Sequence, residues 1–318
     1  MASCEVLWRD KTKPTGSLGR LETIATRLAG IQRSLPPQET PARLLLFAGS
    51  HGVADAGVSA YPSIVNLQML ANFRAGGAAI NVLCRHSAIA LSVVDCGVAA
   101  PTKNIAVARA MTSGETRKAF LLGWNSVPRD TALLGLGEMG IGNTTIASAL
   151  TAACLQVPVT RVTGVGTGVG ERQRRQKMQV IRAALDLHRL ELADPWTRLQ
   201  AIGGREIAAI VGAILRAVSW RIPVFLDGFI VTAAATVAWE MCPSSRYALF
   251  ASHRSSEPGH DLLLKHLGLD PLLDLGLCLG EGTGAALAIS LAQVSLRLLR
   301  EMATFSSAGV ATSESAVA

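Results

Sequence analysis

Two glutamates stand in glycine-rich settings, Glu138 in LGEMGIG and Glu281 in LGEGTG. A carboxylate held in a dry, apolar loop has a raised pKa and becomes a better proton acceptor near neutral pH. The chemistry that fits is removal of a proton from a neutral nucleophile beside an anionic substrate. The blander reading is that both glutamates cap helix N-termini, where the helix dipole favours a carboxylate. Glu281 poses the sharper question. Glycine loops that open a helix usually bind phosphate through backbone N–H groups, and a carboxylate there would repel it.

Other glycine loops suit an anion better. GEMGIGNTT, 137–145, ends at a predicted helix start. Asn143 and Thr144 are expected to cap that helix, and Gly140 and Gly142 permit close backbone approach. It is not a Walker A loop, because GxxxxGK[ST] does not occur. TGVGTGV, 163–169, offers a second set of backbone donors, followed by Lys177. On spacing alone Lys177 reads as a solvated position of the basic helix ERQRRQK. GEGTGA, 280–285, matches the loose dinucleotide pattern GxGxx(G/A), with Glu301 at a suitable distance for a ribose. That alternative predicts an NAD(P)-binding oxidoreductase. Against it, the motif leads into a terminal helix with no βαβ unit after it, and Glu281 would face the pyrophosphate. His51 and His253 follow predicted strands and are read as hydrogen-bonding loop backbone, with a base role as the alternative. There is no GxSxG elbow. Asp227 is a charge in an apolar strand–loop context. Burying it without partners is costly, so it either accepts loop N–H groups or contacts ligand.

The elements that must position these residues alternate. Residues 17–33 carry apolar side chains at helical spacing, and 63–85 read as helical throughout. RLLLFAGSHGV and IALSVVDCGV read as buried strands, TALLGLGEM, IPVFLDG and RYALFASH as further strands leading into loops, and VTRVTGVGTGV as a strand-to-loop element. Helices intervene. This predicts an α/β domain with a mainly parallel sheet. In such a sheet ligands bind beyond the C-terminal strand ends. FAGSHGV, GEMGIGN, GVGTGV, LDGF, ASHRSSEPGH and LGEGTGA are all expected there.

Composition narrows the function class. The chain has 318 residues, 49% hydrophobic and 17% charged, enough for a sizeable core. The apolar run at 222–239 is interrupted by Asp227, and the N-terminus lacks an apolar signal core. The expectation is a soluble, cytoplasmic protein with no membrane span. Six cysteines are scattered without a CxxC pair and read as reduced, small hydrophobes. The net charge of +7 is dispersed and aromatics are only 4%, so no nucleic-acid-binding stripe is visible. An anionic small-molecule substrate accounts for a few of the cations.

At KPTGSLGRLE (13–22), AGSHGV (48–53), GVSAYP (57–62), NFRAGGAAIN (72–81), GEMGIGNTT (137–145), GVGTG (164–168), GGREIAA (203–209), PVFLDGFIVTAAA (223–235), SHRSSEPGH (252–260) and LGEGTGAALA (279–288), the chain resembles the nicotinate-nucleotide–dimethylbenzimidazole phosphoribosyltransferase family of the cobalamin lower-ligand pathway. The motifs run in family order over nearly the whole chain. The resemblance implies a parallel sheet with Rossmann-like connections plus a small helical domain built from both chain ends. The expected division is 1–40 and 283–305 for the helical part, 41–282 for the α/β part, and 306–318 for a disordered tail. It also implies a homodimer, no metal and no organic cofactor. Glu281 would be the general base and Glu138 a supporting carboxylate. Gly140, Gly142, Asn143, Gly166, Thr167, Gly168 and Lys177, with Ser255 and Ser256, would hold phosphate and ribose. Gln68, Met139 and Leu279 would line the base pocket. Two features depart from the family pattern. Cys278 stands where an arginine is common, and the segment after Gly97 is short, which bears on base specificity. They raise a further alternative, a non-catalytic nucleotide-binding relative.

Overall fold

The computed structural model describes residues 2–164 and 170–311. Two helices, α1 (Ala2–Arg9) and α2 (Arg20–Gln32), precede strand β1 (Ala42–Ala48). Then come α3 (Val65–Ala75), α4 (Ala79–His86), β2 (Ala90–Asp95), α5 (Ser113–Ser126), β3 (Leu133–Met139), α6 (Asn143–Leu155), α7 (Glu171–Leu187), α8 (Pro195–Ile202) and α9 (Arg205–Ser219). The chain continues through β4 (Val224–Leu226), α10 (Phe229–Met241), β5 (Leu249–Ala251), α11 (Pro258–Leu267), α12 (Thr283–Glu301) and α13 (Phe305–Ala308). The five strands form one parallel sheet in the order β2-β1-β3-β4-β5. Among the described residues no helix is long and apolar enough to cross a membrane.

Strand alternation sorts the core into two layers. Leu45 and Phe47 of β1, with Leu134 and Leu136 of β3, join the cluster formed with α6, α9 and α10. Leu44 and Leu46, with Phe225 and Phe250, face the opposite layer of α2, α4 and α12. Both chain ends meet in that second layer. Cys4 and Trp8 of α1 share a cluster with Leu28 of α2 and Leu296 of α12. Lys11 Nζ donates to Met302 O at 2.6 Å.

On this second layer β3 carries glycine at alternate positions. A Cβ at Gly135 would stand 3.0 Å from Ile289 Cδ1 of α12, and one at Gly137 would stand 2.5 Å from Gly282 N. The bare strand therefore lets the start of α12, and the loop carrying Glu281, lie directly on β3.

Several expectations are corrected. The predicted helix over 63–85 breaks at Gly76, whose φ of 82° favours glycine, and Asn81 Oδ1 then accepts from Ala78 N to start α4. Strand β2 is an edge strand with half its residues exposed, not a buried one. VTRVT adds no strand. Val159–Arg161 is a 3-10 turn, tied to the helix layer by Ser148 Oγ donating to Val162 O. The stretch before LGEGTG is not a strand either; the parallel pairing there ends at the bridge between His253 and Leu273. Four of the six motif loops thus follow strands. Of the expected tail, 306–308 belong to α13, which Thr304 caps by accepting from Ser307 N, and 312–318 lie outside the described residues.

Candidate active site

Glu138 is the penultimate residue of β3, and Glu281 lies one residue before the N-cap of α12. Both are over nine-tenths buried, and both line one cleft of about 130 Å³. The loop approaches closely enough that a Cβ at Gly280 would stand 2.8 Å from Glu138 Oε1. Burial pushes the Glu281 carboxyl up to about 7, with the charge of Asp227 adding to it. Burial raises Glu138 well above the ordinary carboxylate range, reinforced by Asp227 and Glu206 and opposed by a hydrogen bond from Asn143. Near neutral pH, then, Glu281 sits at its switching point, and Glu138 is shifted in the same direction. Glu281 also has φ of 61°, a left-handed backbone that non-glycine residues seldom adopt. Such strain persists where surrounding contacts impose it, and it clusters at functional sites.

Those contacts come from Asp227. At the end of β4, its Oδ2 accepts from Gly282 N at 2.9 Å, and its Oδ1 accepts from Gly284 N at 2.8 Å and Ala285 N at 3.3 Å. Of the two roles open to Asp227, loop binding is the observed one. These N–H groups are the ones a dinucleotide pyrophosphate would need, and a carboxylate already holds them. The oxidoreductase alternative therefore has no free phosphate cradle at GEGTGA. Capping by Glu281 is excluded for the same reason, since Asp227 caps α12.

The loop between β3 and α6 forms another wall. Neither expected cap is made: Gly142 is the N-cap, with φ of 93°. Asn143 Nδ2 instead donates to Glu138, and Thr144 Oγ1 accepts from Lys177 Nζ at 2.8 Å. Both side chains are turned to charged groups rather than to the helix end. Lys177 is 1% exposed, which corrects the solvated-face reading. Burial lowers its pKa to about 8, opposed by Glu257. A buried ammonium beside a cleft favours an anion there.

Ser255 and Ser256 line the cleft, as do Met139, half-exposed Leu279 and exposed Cys278. Gln68 lies on an exposed face of α3, outside the cleft-lining set. Gly166, Thr167 and Gly168 lie outside the described residues. Nothing in the structure explains the cysteine at 278. Gly97 and Ala100, in the short segment, line a different cavity of about 920 Å³ with Arg205 and Glu115. A larger cavity, about 1160 Å³, runs between α2 and the β5 region. It contains neither glutamate, so chemistry favours the smaller cleft.

The two histidines part company. His253 Nδ1 donates to Arg254 O at 3.0 Å, as expected of a loop-binding histidine. His51 pairs instead with Glu206 of α9, Nε2 to Oε1 at 2.7 Å, with both side chains fully buried. Sequence separation of 155 residues hid that partner. Asp227 as the organiser of the Glu281 loop was foreshadowed only by its charge in an apolar run.

Known proteins place the chain. A family model described as phosphoribosyltransferase matches residues 1–310. A nicotinate-nucleotide–dimethylbenzimidazole phosphoribosyltransferase from Citrifermentans bemidjiense is 46% identical, over 96% of this chain and 92% of its own length. One of the same name from Cereibacter sphaeroides is also 46% identical, over 94% and 88%. The crystal structure of CobT from Thermus thermophilus superposes with a TM-score of 0.93 at 44% identity, covering 98% of both chains. With this agreement over nearly its full length, the chain belongs to the nicotinate-nucleotide–dimethylbenzimidazole phosphoribosyltransferase family.

Proposed function

We propose that the cleft transfers the 5-phosphoribosyl group of nicotinate mononucleotide to 5,6-dimethylbenzimidazole, giving α-ribazole 5′-phosphate and nicotinate for the cobalamin nucleotide loop. The observation that carries this is the meeting of two carboxyls of raised pKa in one cleft, with a buried lysine behind it. In the donor, C1′ is bonded to a positively charged pyridinium nitrogen. As that bond breaks, the ring takes the electron pair and becomes neutral, so the leaving group needs no acid. One benzimidazole nitrogen attacks C1′ from the opposite face and inverts it from β to α. The other ring nitrogen then releases its proton to Glu281. Glu138, tied to Asn143, supports the loop and stands as a substitute carboxylate. Backbone N–H groups around Gly140, Gly142, Gly166 and Gly168 hold the phosphate with Lys177; Asn143, Thr167, Ser255 and Ser256 contact phosphate or ribose. Met139 and Leu279 contact the base; Gln68, outside the cleft, is not assigned to it. The reaction as written calls for no metal or organic cofactor.

The same reading makes the protein a cytoplasmic homodimer that does not bind nucleic acid. Its helical part is 1–40 with 283–305, set against the 41–282 α/β part. The direct test is incubation with nicotinate mononucleotide and dimethylbenzimidazole. The expected products are α-ribazole phosphate and free nicotinate in equal amounts; binding of the mononucleotide without turnover would instead mark a non-catalytic relative.

Lys177 gives a separate prediction. Charge-assisted hydrogen bonds to phosphate are worth about 1.5–3 kcal/mol. Lys177→Met is expected to raise the KM for nicotinate mononucleotide by roughly 10- to 100-fold while changing that for the base little. Because the free lysine loses its proton as pH rises through about 8, affinity for the mononucleotide should fall above that pH in the wild type and not in the variant. Steady-state kinetics with each substrate varied in turn reads both effects.

A further inference from the structure

Asn66 on α3 is 1% exposed, and its side chain spans two loops. Its Oδ1 accepts from Ile141 N at 2.8 Å, and its Nδ2 donates to Ser50 Oγ at 2.8 Å. Ser50 Oγ in turn donates to Val98 O at 2.6 Å. The directions fix the amide's orientation. Ile141 offers only an N–H and so needs the amide oxygen, while the serine hydroxyl, its proton spent on Val98, needs the amide N–H. The relay therefore runs from the end of β2 through the loop after β1 to the middle of the loop after β3.

Ile141 sits between Gly140 and Gly142, and Gly140 and Ile141 belong to the wall facing the glutamates. The glycines give this loop no side chains of their own with which to hold its shape. Gly49 N donates to Met139 O at 2.9 Å where the loop begins, and Asn143 N donates to Gly140 O at 3.1 Å where it ends. Asn66 supplies a side-chain anchor between them, from a separate helix. A buried amide with both ends satisfied holds its geometry, because releasing either end strands a polar group away from water.

We infer that Asn66 is a positioning residue for nicotinate mononucleotide, acting through the Ile141 N–H to set the backbone donors of the Gly140–Gly142 loop. This rests on the reading that the loop holds the substrate phosphate. Only the donor substrate should feel a loosened loop. Ser50→Ala leaves the Ile141 bond in place, which separates loop anchoring from general support of the β1 loop.

The experiment compares Asn66→Ala and the milder Asn66→Ser, whose hydroxyl is too short to reach Ile141, with Ser50→Ala. Amide hydrogen exchange at Ile141 and the KM for each substrate are measured. Both Asn66 variants are expected to exchange Ile141 at least ~10-fold faster, and to raise the KM for nicotinate mononucleotide by about 10-fold, as losing one buried hydrogen bond implies. The KM for dimethylbenzimidazole should stay within about 2-fold, and Ser50→Ala, which frees only the far end of the amide, should move both quantities clearly less than either Asn66 variant does. Unchanged exchange at Ile141, an equal rise for both substrates, or an equal effect of Ser50→Ala overturns the inference. If the wild type binds no nicotinate mononucleotide, the functional reading fails, and the exchange at Ile141 still decides whether Asn66 anchors the loop.

Discussion

Glu281→Gln is expected to lower kcat/KM for dimethylbenzimidazole by about 10²–10⁴-fold, the usual contribution of a positioned general base. Glutamine keeps the side chain's size and suits the left-handed backbone no worse than glutamate does, so the loss isolates the proton acceptor. The wild-type rate should rise with pH through about 7 and level off above it, because only the ionised Glu281 accepts a proton. The variant's profile should lack that limb. Stability moves the other way. In the fold Glu281 has its pKa raised above the ordinary carboxylate value, so its contribution is fully present below that value and is lost as pH rises through about 7. Glu281→Gln removes this penalty, and thermal unfolding should show the variant more stable than wild type at pH 8 and about equal at pH 4. Residual activity is expected to pass through Glu138, so the Glu281→Gln/Glu138→Gln double variant should be lower still. A double variant as active as the wild type would end the mechanism.

How much of this was legible in the sequence depends on the range of each interaction. The α/β class followed from strand and helix periodicity, which is local. The helix break at Gly76 was also local, in the GG pair, yet the apolar spacing on either side concealed it. The exposure of β2 and the absence of a strand at 159–161 are questions of neighbours, which no single segment records. The same division holds in the site. Glu138 and Glu281 announced themselves because a carboxylate among glycines is unusual. Lys177 did not, since a lysine in ERQRRQK has the composition of a solvated face, and only the fold turns it onto Thr144. The alternate glycines at 135 and 137 were a usable signal with the period of a strand; they show which face of β3 must accept close backbone contact.

Asp227 carries the second large effect. Asp227→Ala would leave three N–H groups, of Gly282, Gly284 and Ala285, without their acceptor in a site that is 1% exposed. Removing one partner from a buried charged network costs on the order of 3–5 kcal/mol. The Glu281 loop would lose the contacts that impose its backbone, and misplacing a catalytic group by about 1 Å can cost ~10²-fold in rate. Asp227→Asn is the more discriminating variant. Its oxygen can keep part of the cap, but it removes the charge that helps raise Glu281. Burial, the larger cause, remains. The Glu281 pKa should therefore fall only part of the way towards its ordinary value, moving the rising limb of the pH–rate profile to lower pH. A limb that stays in place would mean that Asp227 acts on the loop as a cap alone. A limb displaced to higher pH would contradict an ionised Asp227, and with it the electrostatic account of why Glu281 switches near neutrality.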